Sequence, residues 1–392
     1  MDPIKIGLAG LGHRGLHWLR HLQDIEGYRV TALCDPIVAL HERALNALEK
    51  PGEVATYAHY EDLLAAKNVD AIALCVRCRE QGLLAALALE AGKHVNAEVP
   101  AAHSLEDCWR IVVATEQSGR VYQLAEQTRF WGFIDAWRDL VASGQLGHIT
   151  FCEGQYIGYY GTRQFFQDPA DGAFYEVEQL EAQPQARPTW LHAMPPIHYL
   201  PHELSPMLKV LNDRVVEVTA MSTTAPSRAH PEIGQPDIQV ALMKTAKGAL
   251  LRLATGFTQP VSHPRGHHWY QIMGTRGSVE WKRAGAGKPL MWLADGQMHD
   301  MAEVDWRYER TDSHDQARGS GHGDADYYAH VAFRDAVRGT QTLEFDVYRA
   351  MDTAAPAILA ATAIEGGGHY EQVPDFRPGP GRTAGQLPGA AS

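Results

Sequence analysis

Six residues near the start of the chain have the types and spacing to grip a diphosphate. Gly10-Leu11-Gly12-His13-Arg14-Gly15 fits G-x-G-x-x-G. An aliphatic run over residues 4–9 precedes it, and Leu16, Leu19 and Leu22 follow at roughly helical spacing. In such a strand–turn–helix, Gly10 permits the tight turn, Gly12 lets the backbone approach a pyrophosphate, and Gly15 lets helix and strand pack closely. The helix N-terminus adds free N–H groups and the positive end of its dipole. Residues 28–34 read as a second strand, closed by Asp35. An acid at that place accepts hydrogen bonds from a ribose diol and repels a 2′-phosphate. The pattern implies a dinucleotide, NAD rather than NADP, held by Gly10, Gly12, His13, Arg14, Gly15 and Asp35.

Two other spacings carry less. His198 and His202 are four apart, as metal-binding histidines on a helix can be, with His267 and His268 available to complete a site. No cysteine or carboxylate cluster accompanies them, so no metal is expected. Cys75 and Cys78 have CxxC spacing but lack a thioredoxin-like helix start, which predicts packed thiols rather than a redox pair.

These residues need elements to position them. At 392 residues the chain predicts two domains. After Asp35 the pattern gives a helix over 37–49, a strand at 54–57, a helix from 60, a buried strand over 69–76 and a helix over 80–91. A strand over 94–98 follows, then a helix capped by Ser104 with Asp107 three residues on, then a strand over 121–125. This alternation predicts a Rossmann domain, residues 1–128, with a doubly wound parallel sheet and the ligand at the carboxyl ends of its strands. From about residue 130 an amphipathic helix and then long strands appear, between 149 and 293, with late helices over 324–338 and 347–364. They predict a second, α+β domain, residues 129–370, for substrate binding and oligomerisation, with a large open, mainly antiparallel sheet. Residues 371–392 are rich in Pro, Gly and Ala and read as a tail that is flexible or drapes over a neighbour.

The net charge of −12 argues against a nucleic-acid partner. No run of 18 apolar residues predicts a membrane span. A first strand at Ile4 leaves no room for a secretory signal, and five cysteines do not make a disulfide framework, so the cytoplasm is the expected compartment. Twenty histidines and nine tryptophans gather mostly after residue 130, as a polar-aromatic pocket would require.

A second motif, Gly92-Lys93-His94-Val95-Asn96-Ala97-Glu98-Val99-Pro100, follows at the end of the fifth strand. With the glycine fingerprint, it makes the chain resemble the Gfo/Idh/MocA oxidoreductases. Most members transfer hydride between a nicotinamide cofactor and a sugar or cyclitol. Where that family commonly has Glu-Lys-Pro, with the lysine as proton carrier, this chain has Glu98-Val99-Pro100. Glu98 to Ala102, then Glu106-Asp107-Cys108-Trp109, is similar to the NAD-dependent branch classed as glycoside hydrolase family 109, whose members are α-N-acetylgalactosaminidases. The similarity continues through Leu146-Gly147-His148-Ile149, Glu153-Gly154-Gln155-Tyr156, Tyr199-Leu200-Pro201-His202 and Gly274-Thr275-Arg276-Gly277. Pro264-Arg265-Gly266-His267-His268 partly matches the branch's Pro-Arg-Pro-Tyr and lacks the tyrosine.

The resemblance implies a site. With valine at the lysine position, a base from the second domain must take the carbinol proton, and His202 stands where the family histidine faces the nicotinamide. Tyr199 is the expected proton relay, and Glu153 a carboxylate on a strand facing the cleft. Glu98 is expected at the nicotinamide ribose. Tyr156, His198, Arg265 and His267 are expected at the substrate, with Trp190, His192 and Trp269 as candidate stacking partners. Hydride transfer at a ring carbinol of a sugar or glycoside, carbon 3, ranks first. A glycosidase using transient oxidation, elimination and water addition is the alternative, and a non-catalytic NAD or sugar sensor the third reading. A homodimer or homotetramer through the second-domain sheet follows from the resemblance alone.

Overall fold

A computed structural model of the chain describes residues 2–159, 161–192, 194–259, 267–283, 287–296 and 298–389. The first aliphatic run forms β1 (Ile4–Ala9), buried everywhere except Lys5. Then come α1 (His13–Asp24), β2 (Tyr28–Cys34), α2 (Ala39–Leu45), β3 (Ala55–Tyr57), α3 (Tyr60–Ala65), β4 (Ala71–Leu74), α4 (Cys78–Glu90), β5 (His94–Ala97), α5 (Leu105–Ser118) and β6 (Tyr122–Leu124). Every pairing among these strands is parallel, in the order β3-β2-β1-β4-β5-β6. Because β2 and β4 leave β1 on opposite sides, a crevice opens at the carboxyl ends of β1 and β4. The predicted cap of α5 is present: the Asp107 N–H donates to Ser104 Oγ at 3.1 Å.

A 3-10 turn (Gln127–Phe130), α6 (Gly132–Ala142) and β7 (Ile149–Ile157) lead into the second half. A small sheet of β8 (Phe166–Gln167), β9 (Phe174–Tyr175) and β10 (Arg187–Pro188) follows, in the order β10-β8-β9. The sequence predicts no element there, because two-residue strands are too short to show a period of two. After a 3-10 turn (Pro196–Tyr199) come α7 (Pro201–Leu211), β11 (Val215–Ser222), β12 (Gln239–Thr245), β13 (Leu250–Gly256), β14 (His268–Gly274), β15 (Gly277–Glu280), β16 (Leu290–Leu293), β17 (Ala302–Glu303), α8 (Ala325–Val337), α9 (Val347–Glu365) and β18 (Glu371–Gln372). Among the described residues the large sheet runs β17-β16-β15-β14-β7-β13-β12-β11-β18. Its pairs are antiparallel except β7–β13.

α7 lies directly on β7. A Cβ on Gly154 would stand 3.0 Å from Glu203 Cγ, so only glycine admits the helix this close. Residues alternate along β7: Cys152, Gly154 and Tyr156 face α7, while Glu153 and Gln155 face the uncovered side. Among the described residues no helix is long and apolar enough to cross a membrane. Cys75 and Cys78 are separate free thiols, and burial pushes the Cys78 thiol up to about 12.

The end of the chain is held across α5. β18 pairs with β11, the Phe376 ring lies 4.3 Å from that of Trp109, and Arg382 forms an ion pair with Glu116. Phe376 has no exposed surface. Phe376→Ala is expected to lower the unfolding free energy by about 3–5 kcal/mol, read by urea denaturation. A loss within error would mean that the tail contributes nothing to the fold.

Candidate active site

The glycine loop is built for a close backbone approach. Gly10 has φ +88°, and a Cβ there would stand 2.2 Å from the Cys75 carbonyl oxygen. A Cβ on Gly15 would stand 1.8 Å from the Gly10 oxygen. Gly12 differs: its φ is −66°, and a Cβ would meet nothing within 4 Å. It caps α1 without a side chain, and no acid sits in the first turn. The first turn of α1 thus has no acidic side chain or capping side chain on its N–H groups, and Gly12 leaves room for a close approach, which suits a diphosphate. Asp35 closes β2, accepting the Leu11 N–H on one carboxylate oxygen and the Ile37 N–H on the other, each at 2.8 Å. Each oxygen keeps a lone pair for a ribose hydroxyl.

Arg14 clamps this loop to the second half of the chain. Its guanidinium forms two 3.0 Å hydrogen bonds with Asp326 on α8, and its Nε lies 3.1 Å from Glu98 Oε2 beyond β5. Burial opposes the charge on Arg14, yet the two carboxylates hold it above the ordinary arginine value. Burial likewise opposes the charge on Asp326, but Arg14 and then His322 hold it well below the carboxylate range. The Val99 side chain is buried, and the Val99–Pro100 peptide is cis.

His202 opens α7 and is anchored by a residue that the sequence reading passed over. Its Nδ1 lies 2.9 Å from Oε1 of Glu126, just past the carboxyl end of β6. The same oxygen accepts the Thr128 N–H at 3.1 Å and the Thr128 hydroxyl at 2.8 Å. Burial works against the imidazolium, but the Glu126 charge and hydrogen bond outweigh it and raise the His202 pKa. Burial also works against the Glu126 carboxylate, and His202 and Thr128 hold it below the ordinary value. Its position at a strand's carboxyl end was the available signal, since ligands gather there.

Aromatic rings join His202 to a second carboxylate–imidazole pair. Tyr156 stands edge-on to His202 at 5.3 Å and stacks on His268 at 4.3 Å, nearly parallel. Tyr199 stacks on His202 at 5.9 Å. His268 Nδ1 lies 2.5 Å from Oε1 of Glu203, and the Tyr270 hydroxyl donates to the His202 carbonyl at 2.9 Å. Burial raises the Glu203 carboxyl well above its ordinary value, and the Glu126 charge raises it further. Two fully buried carboxyls, 2.9 and 2.5 Å from the imidazoles they meet, are thus pushed in opposite directions.

The structure brings together Tyr156, Tyr199 and His202, and separates others. Glu153 does not face the cleft. It lies on the uncovered side of the sheet, bound by Arg252 at 2.5 Å and Arg283 at 3.1 Å, because alternation along β7 sends it opposite to Tyr156. Arg283 also covers the Trp269 ring at 3.6 Å. His198 turns toward the first domain and stacks on His103 at 4.6 Å; burial, with His103 and Arg79, lowers it to about 3. His267, at φ +76°, lays its ring where a Gly158 Cβ would stand. Arg265 lies outside the described residues. His192 Nε2–H donates to the Glu232 carbonyl at 2.8 Å, apart from this cluster. Among the described residues the metal-like grouping is His17, His21 and Asp326. There Arg14 already donates to His17 Nδ1 and to the Asp326 carboxylate, and the two histidines meet Nε2 to Nε2 at 3.3 Å.

Two outcomes follow from this geometry. Gly12→Ala should leave Tm within about 2 °C while weakening NAD binding by at least about tenfold; unchanged affinity would remove the loop from the cofactor site. The second concerns pH. His202, with its raised value, contributes stability that is complete below the unfolded imidazole pKa and is lost as pH rises through the folded one. Glu126, with its lowered value, contributes stability that is complete above the unfolded carboxyl pKa and is lost as pH falls through the folded one. Glu126→Gln should therefore drop the His202 titration, followed by NMR, below the ordinary histidine value, since burial then dominates. A titration that does not move would break the pair.

Comparison with known proteins agrees with this geometry. Residues 4–126 match the oxidoreductase family with an NAD-binding Rossmann fold (Gfo/Idh/MocA). Residues 136–381 match the glycosyl hydrolase 109 C-terminal domain. A glycosyl hydrolase family 109 protein of Phocaeicola vulgatus is 26% identical over 413 aligned positions, covering 96% of this chain and 95% of that one. A relative of the same family name from Streptomyces niveus is also 26% identical, covering 96% and 78%. Among solved structures, an Agrobacterium radiobacter oxidoreductase in complex with NAD+, L-tartaric acid and magnesium aligns with a TM-score of 0.73 at 17% identity, covering 95% of this chain and 99% of that one. A Lactobacillus casei scyllo-inositol dehydrogenase with bound NAD(H) and scyllo-inositol aligns with a TM-score of 0.69 at 17% identity, covering 95% and 98%. The chain is an NAD-binding oxidoreductase-fold enzyme and belongs to the glycosyl hydrolase 109 family.

Proposed function

We propose that the protein cleaves a glycoside by a redox-neutral, NAD-dependent route. The observation that carries this reading is the pair of carboxylate–imidazole units, with ring centroids of His202 and His268 6.1 Å apart across Tyr156. A dehydrogenase needs one proton carrier beside the carbinol. Elimination of an aglycone needs a second, acting at the neighbouring carbon. Environments that push two carboxyls apart in pKa separate the roles of the groups they serve.

A bound nicotinamide would accept the hydride of a ring carbinol and give it back at the end of the cycle, which leaves no net oxidation. The glycine loop and Asp35 would hold the dinucleotide, and Glu98, beyond β5, would contact its nicotinamide ribose. Oε2 of Glu126 is buried without a hydrogen-bond partner among the described residues, as an acceptor awaiting a ligand hydroxyl would be. Glu126 accepts from His202 Nδ1–H and leaves Nε2 to take the carbinol proton. The Glu126 carboxylate stays ionised and steadies the imidazolium. His268, oriented by the contact of its Nδ1 with Oε1 of Glu203, takes the proton from the adjacent carbon at Nε2. The reverse movement delivers a proton to the departing aglycone oxygen. Water then adds to the unsaturated sugar and gives one proton to His268, which passes it to the adjacent carbon, and His202 returns its own to the carbinol oxygen. Tyr156 and Tyr199 provide aromatic faces for the sugar. The same reading assigns the uncovered face of the large sheet to a second copy of the chain. Met221, Leu242, Leu250 and Met273 stand exposed there.

A net dehydrogenase is the second reading, favoured by the dehydrogenases among the structural neighbours. One comparison separates the two. The purified protein is incubated with a nitrophenyl glycoside panel, and separately with free sugars and NAD. Aglycone release without accumulating NADH is expected, and stoichiometric NADH from free sugars without release would replace the glycosidase by a dehydrogenase. Silence in both, with NAD bound, would mean a sensor. Glu203→Gln should reduce aglycone release by roughly 10²–10⁴-fold with NAD binding intact, and undiminished release would remove His268 and Glu203 from the chemistry.

A further inference from the structure

At the far end of α7 from His202 lies a cavity of about 430 Å³ with a different chemistry. It is formed by the end of α7, the turn between β12 and β13, the first turns of α9 and the tail residue Arg377. Six cationic side chains line it: Arg129, Lys209, Arg214, Lys247, Arg349 and Arg377. Three carboxylates, Asp213, Glu344 and Asp352, share the wall. This excess of positive charge stands out on a chain whose net charge is −12.

The acids are already committed. Arg129 and Arg377 hold Glu344 and Asp352, each with contacts of 2.5 Å, and the Asp213 carboxylate accepts backbone N–H groups of Arg214 and Lys247 at 2.8 and 3.1 Å. Two further carboxylates stand behind the wall. Asp135 pairs with Lys209 and Arg310, and Asp375 with Arg377 and Arg214. Lys247 donates to the carbonyls of Leu211 and Asn212 at the end of α7, which leaves its full charge uncompensated by any acid side chain in bonding distance among the described residues. Arg349 likewise bonds a carbonyl, that of Glu344. Arg214 meets Asp375 only at 3.5 Å. Three of the six cations thus face the cavity with weak or no neutralisation. Arg129 adds a buried Nε with no partner among the described residues.

We infer that this cavity binds a small polyanion, a ligand with two or more clustered phosphate or carboxylate groups. Its volume lies in the range of small-molecule sites, about 300–1,000 Å³. Forked guanidinium donors and a point-charge ammonium together suit oxyanions of that kind. The site is separate from the dinucleotide crevice and is independent of the chemistry proposed above. It touches the catalytic side through Arg129, which donates to the Ser205 carbonyl of α7 at 2.7 Å and lies in the turn that follows Glu126.

The test is a calorimetric titration of the full chain with inorganic pyrophosphate, and in parallel with citrate, at constant ionic strength and with NAD saturating. Saturable binding of at least one anion is expected, with a raised Tm. Pyrophosphate alone would make the ligand a phosphate ester or diphosphate, and citrate alone a polycarboxylate. The double variant Arg214→Gln, Lys247→Gln should weaken it by at least about tenfold with NAD affinity unchanged. Should that variant not fold, Arg349→Gln alone is expected to weaken binding measurably. Absence of saturable binding by either anion would overturn the assignment. So would binding that NAD abolishes, which belongs to the cofactor crevice, or binding that these variants leave unchanged.

Discussion

A carboxylate with no exposed surface, Glu126, meets the imidazole of His202 and ties the end of the parallel sheet to the start of α7. Moving two charges out of water costs several kcal/mol each unless every contact is good. Here Thr128 supplies both its N–H and its hydroxyl to the same oxygen that His202 engages. The geometry tolerates little displacement. If α7 slid along β7, the carboxylate would be stranded, and Gly154 is the residue that lets the helix sit close enough to avoid this. The placement of His202 and the stability of the fold therefore share one contact.

Arg14 makes the corresponding tie on the cofactor side. One guanidinium spans the first turn of α1, the acid beyond β5 and the start of α8. A dinucleotide laid across the loop would rest on a helix already fixed to both halves of the chain. The cost of burying Arg14 and Asp326 is offset by their two mutual hydrogen bonds.

Burial treats the two carboxyls near the imidazoles differently. Glu126 is surrounded by donors and stays ionised. Glu203, equally buried, has His268 and a distant Tyr270 hydroxyl and feels the Glu126 charge, so its proton is held. Identical side-chain chemistry thus yields a fixed anion in one place and a proton store in the other. Val99, where the resembled family commonly has lysine, carries no titratable group, and the imidazoles that meet buried carboxyls lie on α7 and β14.

Much of the fold was legible in the linear chain. Strand–glycine–helix–strand–acid is local, and a period of two or 3.6 reports burial without reference to distant residues, so the parallel sheet and the long strands after residue 149 could be read directly. His202 and Tyr199 were also legible through their shared motif. Glu126, Glu203 and Asp326 were not, since each acquires meaning from a partner 65 to 312 positions away. Glu153 was misplaced for a related reason: a strand's alternation says that neighbours face opposite ways but not which face the helix will cover. The sequence by itself determined the elements and the cofactor class, because those depend on neighbours in the chain. Only the tertiary structure decided which carboxyl stays charged, which histidine turns inward, and where the cationic cavity gathers, because charge and burial are set by residues that folding alone brings together.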